Sequence, residues 1–347
     1  MTLHEDICRF LRGYGLECRT EEIEGNQVIR SGDNPAILPV SISETDPDQA
    51  RIKAEATRRL VRILSQQTGA YPLIITEDRW RSQSEMMQRR LLAHLRVYVQ
   101  IYARNCEVRK IDKNTAAEFL KANHSYGDAT CRHRYGLYLK RYTGHTVRSD
   151  NDPDRFSEML AEERTYNKLR TTEPSGAQKP QTGDLVAVAT FSNGRKWIKG
   201  EKVIRSFEWT RYASLPGVRL SGGMGRLLKA FIEDVKPDDI MTYADLEWSE
   251  GGVYETLGFE LEGMKSPVLF EVDSFKWIRS AQTGHRQGPD DGTDEKIHSI
   301  EISDSVSFDY SPESTHPANT LKEAPKRIRY FQNLGSNKYR LKLTDYQ

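Results

Sequence analysis

Helical and strand-like spacing of apolar residues alternates along the first hundred residues. Apolar positions three and four apart predict helices over 49–69 and 84–100. Short apolar runs at 36–43 and 71–76 predict buried strands. This strand-helix-strand-helix order favours a small α/β module over residues 1–100.

A second α/β unit is predicted over residues 101–281. Its apolar run at 184–192 is largely continuous, which is typical of a buried strand, and 203–214 predicts the next strand. A glycine-rich turn then opens a helix over 221–235, and another strand follows at 239–246. The sequence thus predicts an α/β (α+β) fold with a mixed sheet flanked by helices.

Two stretches interrupt this pattern with polar residues, glycine and proline. Residues 142–183 are expected to form a polar insertion in the second unit. Residues 282–347 are expected to begin as a polar linker and to end in a segment that docks on the body. Docking is predicted because aromatic residues and alternating polarity return between 327 and 343.

Charge and cysteine content restrict the partners and the compartment. The chain has 347 residues, with 51 Lys and Arg against 50 Asp and Glu, and a formal net charge of +1. Such a chain has no overall field that attracts nucleic acid or membrane, so these contacts would need a local patch. Four cysteines without a C-x-x-C pair predict reduced thiols in a cytoplasmic protein. No apolar run is long enough to cross a membrane, and no membrane partner is expected.

The glycine-rich turn is the main candidate for chemistry. Backbone N–H groups at a helix start can approach a phosphate where glycines remove side-chain hindrance, and the helix dipole favours the anion. Arg219 and Arg226 flank the turn and are candidate phosphate contacts. A P-loop needs lysine where Arg226 stands, and a dinucleotide-binding motif needs glycine where Leu228 stands, so neither motif fits. Alternatively, the turn only connects a strand to a helix.

Two segments, in this order along the chain, give the turn a more specific interpretation. LSGGMGRLLKAFI (220–232) resembles the acyl-CoA loop and helix of GNAT acetyltransferases, whose pattern is [QR]-x-x-G-x-[GA]. VYETLGFELEG (253–263) resembles the helix-turn-strand that follows in the same family. Leu220 departs from the pattern, because it stands where glutamine or arginine is usual, and Arg219 is its neighbour.

The resemblance implies a GNAT-like mixed sheet that splays between strands 203–214 and 239–246 to admit acetyl-CoA. The residues that it implies for acetyl-CoA binding are Arg219, Ser221, Gly222, Gly223, Met224, Gly225 and Arg226. Tyr254 matches a tyrosine that protonates the leaving thiolate in many members, and Glu208 is a candidate general base toward an amine acceptor. Alternatively, Tyr254 is a packed core aromatic and Glu208 an exposed or ion-paired carboxylate. No metal is expected.

A further resemblance covers more of the chain. Segments such as EFLKANHSYG (118–127) and TYADLEWSEGGVYETLGFE (242–260) are similar to those of certain phage and mobile-element proteins. In these proteins a GNAT-like domain follows a nuclease module of the very-short-patch-repair or homing-endonuclease kind. The stretch IITEDRWRSQSEMMQRRLLAHL (74–95) resembles the end of that module. The resemblance implies that a small nuclease-like α/β module precedes the GNAT-like domain.

The residues of the first module do not match nuclease chemistry. A restriction-type site needs an Asp and then a strand that bears Glu-x-Lys, to hold magnesium and activate water. The strand after Asp33 offers Ser41 and Ser43 instead, and Lys53 is far along the chain. The module is therefore expected to be nuclease-like and catalytically degenerate. Alternatively, it is an unrelated interaction domain.

Three functions stay open on the sequence. The first is an acyl-CoA-dependent N-acyltransferase that moves an acetyl group directly to an amine acceptor. The second is a phage-derived or mobile-element protein associated with nucleic acid, whose GNAT-like domain is a non-catalytic binding module. Its candidate DNA contacts are the basic, aromatic stretches 131–148 and 326–342, which solvated cations on strand faces explain equally well. The third is a module that holds CoA without turnover.

Overall fold

The protein is described by a computed structural model over residues 1–142, 145–147, 180–199, 202–281 and 328–344. In these residues several β-sheets are flanked by helices. The predicted α/β (α+β) class is therefore confirmed. Most of the insertion predicted at 142–183, and the linker before residue 328, lie outside the described residues.

The N-terminal unit contains one four-stranded sheet with helices around it. Its elements are α1 (Leu3–Gly13), β1 (Arg19–Ile23), β2 (Asn26–Arg30), β3 (Ile37–Val40), α2 (Pro47–Thr68), β4 (Leu73–Thr76), α3 (Glu77–Ser82) and α4 (Ser84–His94). The strands lie in the order β1-β2-β3-β4, and only β3 and β4 are parallel. The carboxylate of Asp46 accepts the N–H of Asp48 at the start of α2, and Gly69 ends the helix in the left-handed region.

The helix predicted over 84–100 is shorter in the structure. α4 ends at His94, and Arg96 adopts a left-handed backbone with φ of 62°. A strand, β5 (Tyr98–Tyr102), follows. Its sequence YVQIY is rich in aromatic and β-branched residues, which fit a pleated strand better than the end of a helix.

Two of the four cysteines form a disulfide bond. Cys8 of α1 and Cys18, which precedes β1, have Cα atoms 5.8 Å apart. The prediction of reduced thiols is therefore wrong for this pair, because the turn after α1 brings the two residues together. Cys106 and Cys131 are free and buried.

The second unit is built on one large sheet. After β5 the chain forms β6 (Cys106–Lys110), α5 (Lys113–Asn123), β7 (His133–Leu139), β8 (His145–Val147), β9 (Leu185–Phe191), β10 (Arg195–Lys199), β11 (Lys202–Ser214), β12 (Val218–Ser221), α6 (Gly223–Val235), β13 (Asp239–Asp245), α7 (Gly252–Thr256), β14 (Glu260–Lys265), β15 (Leu269–Asp273), β16 (Ile278–Ala281), β17 (Ile328–Gln332) and β18 (Ser336–Lys342). The large sheet has the order β14-β18-β13-β11-β9-β7-β6, with β10 joined to β11. Among the described strands of this sheet, only β11 and β13 are parallel, and α6 makes the crossover between them.

Helices cover both faces of this sheet. α6 buries Leu227 and Phe231 in the main core, where the rings of Phe231 and Phe191 stack with centroids 3.8 Å apart. α5 covers the other face, with Phe119 beside Val188 of β9. The sheet is thus covered by helices on both faces.

The last strands return to both units. The three-stranded sheet β16-β15-β17 packs on the N-terminal unit, where Phe270 and Phe331 share a core with Leu60 and Leu64 of α2. β18 then runs between β13 and β14 in the large sheet. The C-terminal segment therefore contributes strands to two sheets in succession.

Candidate functional site

The two central strands of the large sheet, β11 and β13, separate along their length. They pair only where Ser206–Glu208 faces Asp239–Met241. A register irregularity follows between Trp209 and Arg211, after which β11 continues to pair with β9 on its other side. Beyond this point the hydroxyl of Thr242 donates to the carbonyl of Trp209 at 3.1 Å. The backbone pairing of β11 and β13 therefore stops here, and we call the separation of their C-terminal halves the gap, although Trp209 and Thr242 beside it are buried.

Aromatic rings lie beside this gap on the face covered by α6. Tyr254 of α7 packs against Trp209, Phe259 and Tyr339, with ring centroids 5.5–6.1 Å apart. Burial raises the pKa of Tyr254, and the nearby hydroxyl of Thr242 offsets this only in part. The phenol is thus protonated at neutral pH and able to donate a proton.

The glycine-rich turn leads directly into α6. Gly222 has φ of 77°, a backbone that favours glycine, and no side chain caps the helix. A side chain at Gly223 would meet Leu220 at 2.7 Å, so this glycine is needed for close packing. The first backbone N–H groups of an uncapped helix are donors without a partner in the helix, and they favour anions.

A small neighbouring sheet positions the turn. β12 pairs in parallel with β5, in the order β12-β5-β8, and Gln100 of β5 donates to the hydroxyl of Ser221 at 2.9 Å. Arg226 donates to the carbonyl of Ala103 at 3.1 Å. Arg219 donates to the hydroxyl of Tyr98 at 3.1 Å. Both arginines thus form hydrogen bonds with β5 or the residue that follows it. Met224 and Gly225 lie in the first turn of α6.

Glu208 lies on the opposite face of β11 from Tyr254. Phe207 and Trp209 belong to the core shared with α6, and side chains alternate along a strand, so Glu208 between them points to the other face. Glu208 also pairs with Met241, the last paired residue before β13 separates from β11. The two candidate catalytic residues therefore lie on either side of the sheet beside the gap.

A polar cluster follows the end of β13 on the same face as Glu208. The hydroxyl of Tyr126 donates to Asp245 Oδ2 at 3.0 Å, and the N–H of Tyr126 donates to His124 Nδ1 at 3.1 Å. Arg211 donates to the carbonyl of Gly127 at 3.2 Å. Burial is the main reason that the pKa of His124 falls to about 3, with a smaller contribution from the charge of Arg211.

The N-terminal unit reaches this cluster through α3. The guanidinium of Arg79 lies 3.7 Å from the Asp245 carboxylate, too far for a hydrogen bond, and 4.9 Å from the centre of the Tyr126 ring. Four buried atoms in this region have no hydrogen-bond partner: Arg79 Nη2, Gln83 Oε1, Asp128 Oδ1 and Trp248 Nε1. Buried polar atoms are normally hydrogen-bonded, so these atoms require a partner such as an ordered water molecule or a polar group of a ligand.

The sequence indicated only part of this cluster, because His124 and Tyr126 follow a predicted helix and a C-terminal cap explains His124 better than a site does. Arg79 and Asp245 come from different units, and no spacing rule relates them. The local signal for Arg79 is that three charged residues, Glu77, Asp78 and Arg79, follow a fully buried strand. Charged side chains beside such a strand must be paired or lie near a site, which could have drawn attention to them.

The N-terminal unit holds an ion pair where a nuclease site was considered. Glu44 and Lys53 lie 2.7 Å apart, and Asp33 is exposed. Ser41, Glu44 and Lys53 line a cavity of about 10 Å³, which has room for no more than one water molecule. Among the described residues no group of three or more His, Cys, Asp or Glu side chains is placed to bind a metal.

Acid is expected to destabilise the fold through two histidines. Burial lowers the pKa of His124 to about 3 and that of His94 to about 4, each below the ordinary value of about 6.5. The unfolded chain takes up these protons first, so stability is complete above about pH 6.5 and falls as pH decreases toward 4. We expect a loss of about 1–2 kcal/mol per histidine between pH 7 and 5, measured by urea unfolding.

The variant His94→Gln isolates one contribution, because glutamine does not titrate. Its free energy of unfolding should fall less than that of the wild type over the same pH range. The range lies above that in which carboxylates titrate, so they contribute little to the difference. Parallel curves for the two proteins would contradict the prediction.

Comparisons with known proteins add no family to this picture. No protein-family model matches the chain, and no curated protein is significantly similar to it. Within the described part of the chain, no helix combines the length and apolar character needed to cross a membrane.

Proposed function

We propose that the protein is an acyl-CoA-dependent N-acyltransferase that transfers an acetyl group directly to an amine. The gap between β11 and β13 carries the proposal, because the GNAT-like sequence segments imply a sheet splayed between these two strands. The two strands pair over three residues and then separate. After β11 the chain passes through β12 and the glycine-rich turn to the uncapped start of α6. The pyrophosphate of acetyl-CoA would bind at this helix start.

The side chains beside the gap fit the two proton transfers of such a reaction. Glu208 would accept a proton from the amine, whose nitrogen then attacks the thioester carbonyl. As the carbon–sulfur bond breaks, Tyr254 would donate its proton to the leaving thiolate. The backbone N–H groups of Gly223, Met224 and Gly225 would bind the pyrophosphate, with Ser221, Gly222 and Arg226 shaping the turn. Arg219 would serve mainly to hold β12 through Tyr98.

The proposal requires a small movement of α7. A Cβ atom at Gly225 would lie 3.2 Å from Leu257, the residue after α7, so this segment contacts the first turn of α6. α7 has only five residues, and Gly251 and Gly258 on either side have left-handed backbones. We expect acetyl-CoA to move this short helix when it enters the gap.

The amine would approach from the face of Glu208. The polar cluster beyond the end of β13 contains the carboxylate of Asp245, with the guanidinium of Arg79 at 3.7 Å, and the buried, unpaired atoms of Gln83 and Asp128. Carboxylates and amide oxygens attract and orient an ammonium group before it loses its proton. The acceptor is therefore expected to be a cationic amine in solution.

A charge reversal at the turn tests the proposed acetyl-CoA site. Arg226→Glu places a carboxylate on the first turn of α6 and is expected to weaken acetyl-CoA binding at least tenfold, measured by isothermal titration calorimetry. Arg226 is exposed, so the change spares the core. Gly223 is unsuitable for this test, because any side chain there would collide with Leu220.

Lys229→Glu is the matched control. Lys229 is exposed on the same helix and pairs with Glu233, and the effect of the helix terminus falls off within one turn. This variant makes the same change in net charge and should bind acetyl-CoA within about twofold of the wild type. Equal affinity in all three proteins, or no binding in any, would remove the proposed site.

A second candidate function is nucleic-acid association through a non-catalytic GNAT-like unit. The observation that favours it is a basic hairpin at the other end of β11. The hairpin does not depend on acetyl-CoA binding, so both functions can be tested separately.

A further inference from the structure

A basic hairpin extends the large sheet at the end of β11 that is remote from the glycine-rich turn. Residues 202–205 of β11 pair only with β10, whereas later residues pair with β13 or β9. In this hairpin Lys196 lies opposite Arg205, and Ile198 lies opposite Val203. Since side chains alternate along a strand, these four share one face, which we call the hairpin face.

The hairpin face is open to solvent and apolar at its far end. Ile198 is 72% exposed and Val203 is 56% exposed, although both are β-branched aliphatic residues that are usually buried. Lys196 and Arg205 are also exposed. On the hairpin face, Ile198 and Val203 thus lie farther from the body of the sheet than Lys196 and Arg205 do.

The hairpin face continues into a surface cavity of about 470 Å³ at its base. The polar residues that line the cavity are Arg132, His133, Asn193, Lys196 and Arg205. Phe207 and Val235 form its apolar part. The cavity thus has room for a group as large as a phosphate with part of a sugar, beside three permanent cations.

Most of this positive charge is not neutralised by nearby carboxylates. In the described part of the chain, Arg132 and Lys196, two of the three cations that line the cavity, form no ion pair with an acidic side chain. Lys196 and Arg205 lie directly opposite each other, and like charges in this position destabilise a strand pair. An anion bound between them would relieve that repulsion.

The acidic residues near the base are already engaged. Asp234 accepts hydrogen bonds from Lys110 at 2.6 Å and from Tyr135 at 2.6 Å. Asp238 accepts the backbone N–H of Arg205 at 2.7 Å. The guanidinium of Arg205 also donates to carbonyls at the end of α6, which holds its charge in place.

We propose that the hairpin face and its basal cavity bind duplex DNA. A two-stranded β-ribbon fits the major groove, which is about 12 Å wide, and cations beside the ribbon can contact phosphates. The exposed apolar residues are aliphatic, which suits contact with thymine methyl groups, whereas a single strand is bound through exposed aromatic rings. Because the net charge of the chain is only +1, a local patch must supply the attraction.

The stretch 326–342 is a weaker alternative for the same role. Lys338 and Arg340 of β18 both pair with Glu262 of β14, at 2.8 Å in each case. Arg340 also pairs with Asp239 at 2.9 Å. These cations serve the large sheet, so the hairpin is the better DNA contact.

Charge reversal on the hairpin face tests the proposal. In the full chain, Arg132→Glu with Lys196→Glu is expected to weaken binding of a short labelled DNA duplex by roughly 100-fold at about 100 mM salt, measured by fluorescence anisotropy. The slope of log K against log salt should become shallower by about 2, because two phosphate contacts are lost. The control, Lys113→Glu with Lys121→Glu, makes the same charge change on exposed positions of α5 and should leave both quantities nearly unchanged.

Ile198→Ser tests insertion of the ribbon separately from charge. This variant keeps the charge and is expected to weaken duplex binding by roughly 3- to 10-fold without changing the salt slope. Equal weakening by the α5 control pair, or tighter binding of a single strand than of the duplex, would overturn the proposal. Absence of duplex binding by the wild type at low salt would also overturn it, and acetyl-CoA binding is measured independently of all these results.

Discussion

Replacing Arg279 with methionine is expected to lower the free energy of unfolding by about 3–5 kcal/mol. Arg279 of β16 forms a two-point ion pair with Asp78 and a second ion pair with Glu247, with Nη1 2.9 Å from Oε1. The side chains of Asp78 and Glu247 are only 2% exposed. Removing the cation leaves two buried carboxylates with far fewer hydrogen bonds and less opposite charge to offset their burial. This loss costs more than the loss of an exposed ion pair.

The protonation of Asp78 adds a second signature. Burial alone would raise the pKa of Asp78, but the hydrogen bonds and charge of Arg279 outweigh it and hold the pKa below its ordinary value. Without Arg279 this carboxyl should take up a proton more readily, which reduces the cost of its burial. The stability difference between wild type and Arg279→Met should therefore shrink as pH falls from 7 toward 5.

Urea unfolding at several pH values measures both effects. Arg51→Met is the control, because it removes the same charge from an exposed pair with Asp48 on α2 and should cost less than about 1 kcal/mol. A cost for Arg279→Met no larger than that of the control would contradict the prediction. Such a result would also mean that β16 contributes little to holding α3 and the segment after β13 together.

The elements that the sequence predicted best are those with a local physical cause. The helix of α6 follows from the spacing of Leu227 and Phe231, and its start follows from Gly222, whose positive φ needs no long-range partner. The same holds for α2, with Asp46 at its start and Gly69 at its end. In each case the deciding contacts lie within a few residues of the chain.

The elements that the sequence did not predict depend on distant partners. Arg279 meets Asp78 and Glu247 only because β15–β17 pack on α2, and no periodicity relates these residues. The strand β5 replaces the end of a predicted helix because it pairs with β12, more than a hundred residues later. Tertiary pairing overrides local propensity at such positions.

The candidate site was predictable in part for the same reason. The glycine-rich turn and Tyr254 were found from short motifs, because backbone geometry at a helix start imposes a local pattern on the sequence. His124 and Tyr126 gave only a weak signal after a predicted helix, and their link to Asp245 was not predicted, since it joins the loop after α5 to the end of β13. The hairpin face was missed because its character lies in cross-strand pairing, which the sequence does not display.

Removing one hydroxyl group near the gap is expected to have the largest effect on turnover. In Tyr254→Phe we expect kcat to fall by about 100-fold or more, while the affinity for acetyl-CoA changes by less than about twofold. Phenylalanine keeps the ring contacts with Trp209, Phe259 and Tyr339, so the packing is retained. What is lost is the proposed proton donor, a phenol whose pKa burial raises, so that it is protonated at neutral pH.

The measurement is thiol release from acetyl-CoA with a panel of cationic primary amines, with binding followed separately by calorimetry. Tyr138→Phe is the matched control, since it removes the same group from β7 at a partly exposed position stacked with Arg109. It should keep both kcat and affinity. If Tyr254→Phe and Tyr138→Phe release thiol equally fast, Tyr254 is not the proton donor. If the wild type binds acetyl-CoA but releases no thiol with any amine, the protein holds CoA without turnover. Binding requires only the glycine-rich turn and α6, whereas transfer also requires Tyr254 and Glu208 on the two sides of the separated strands.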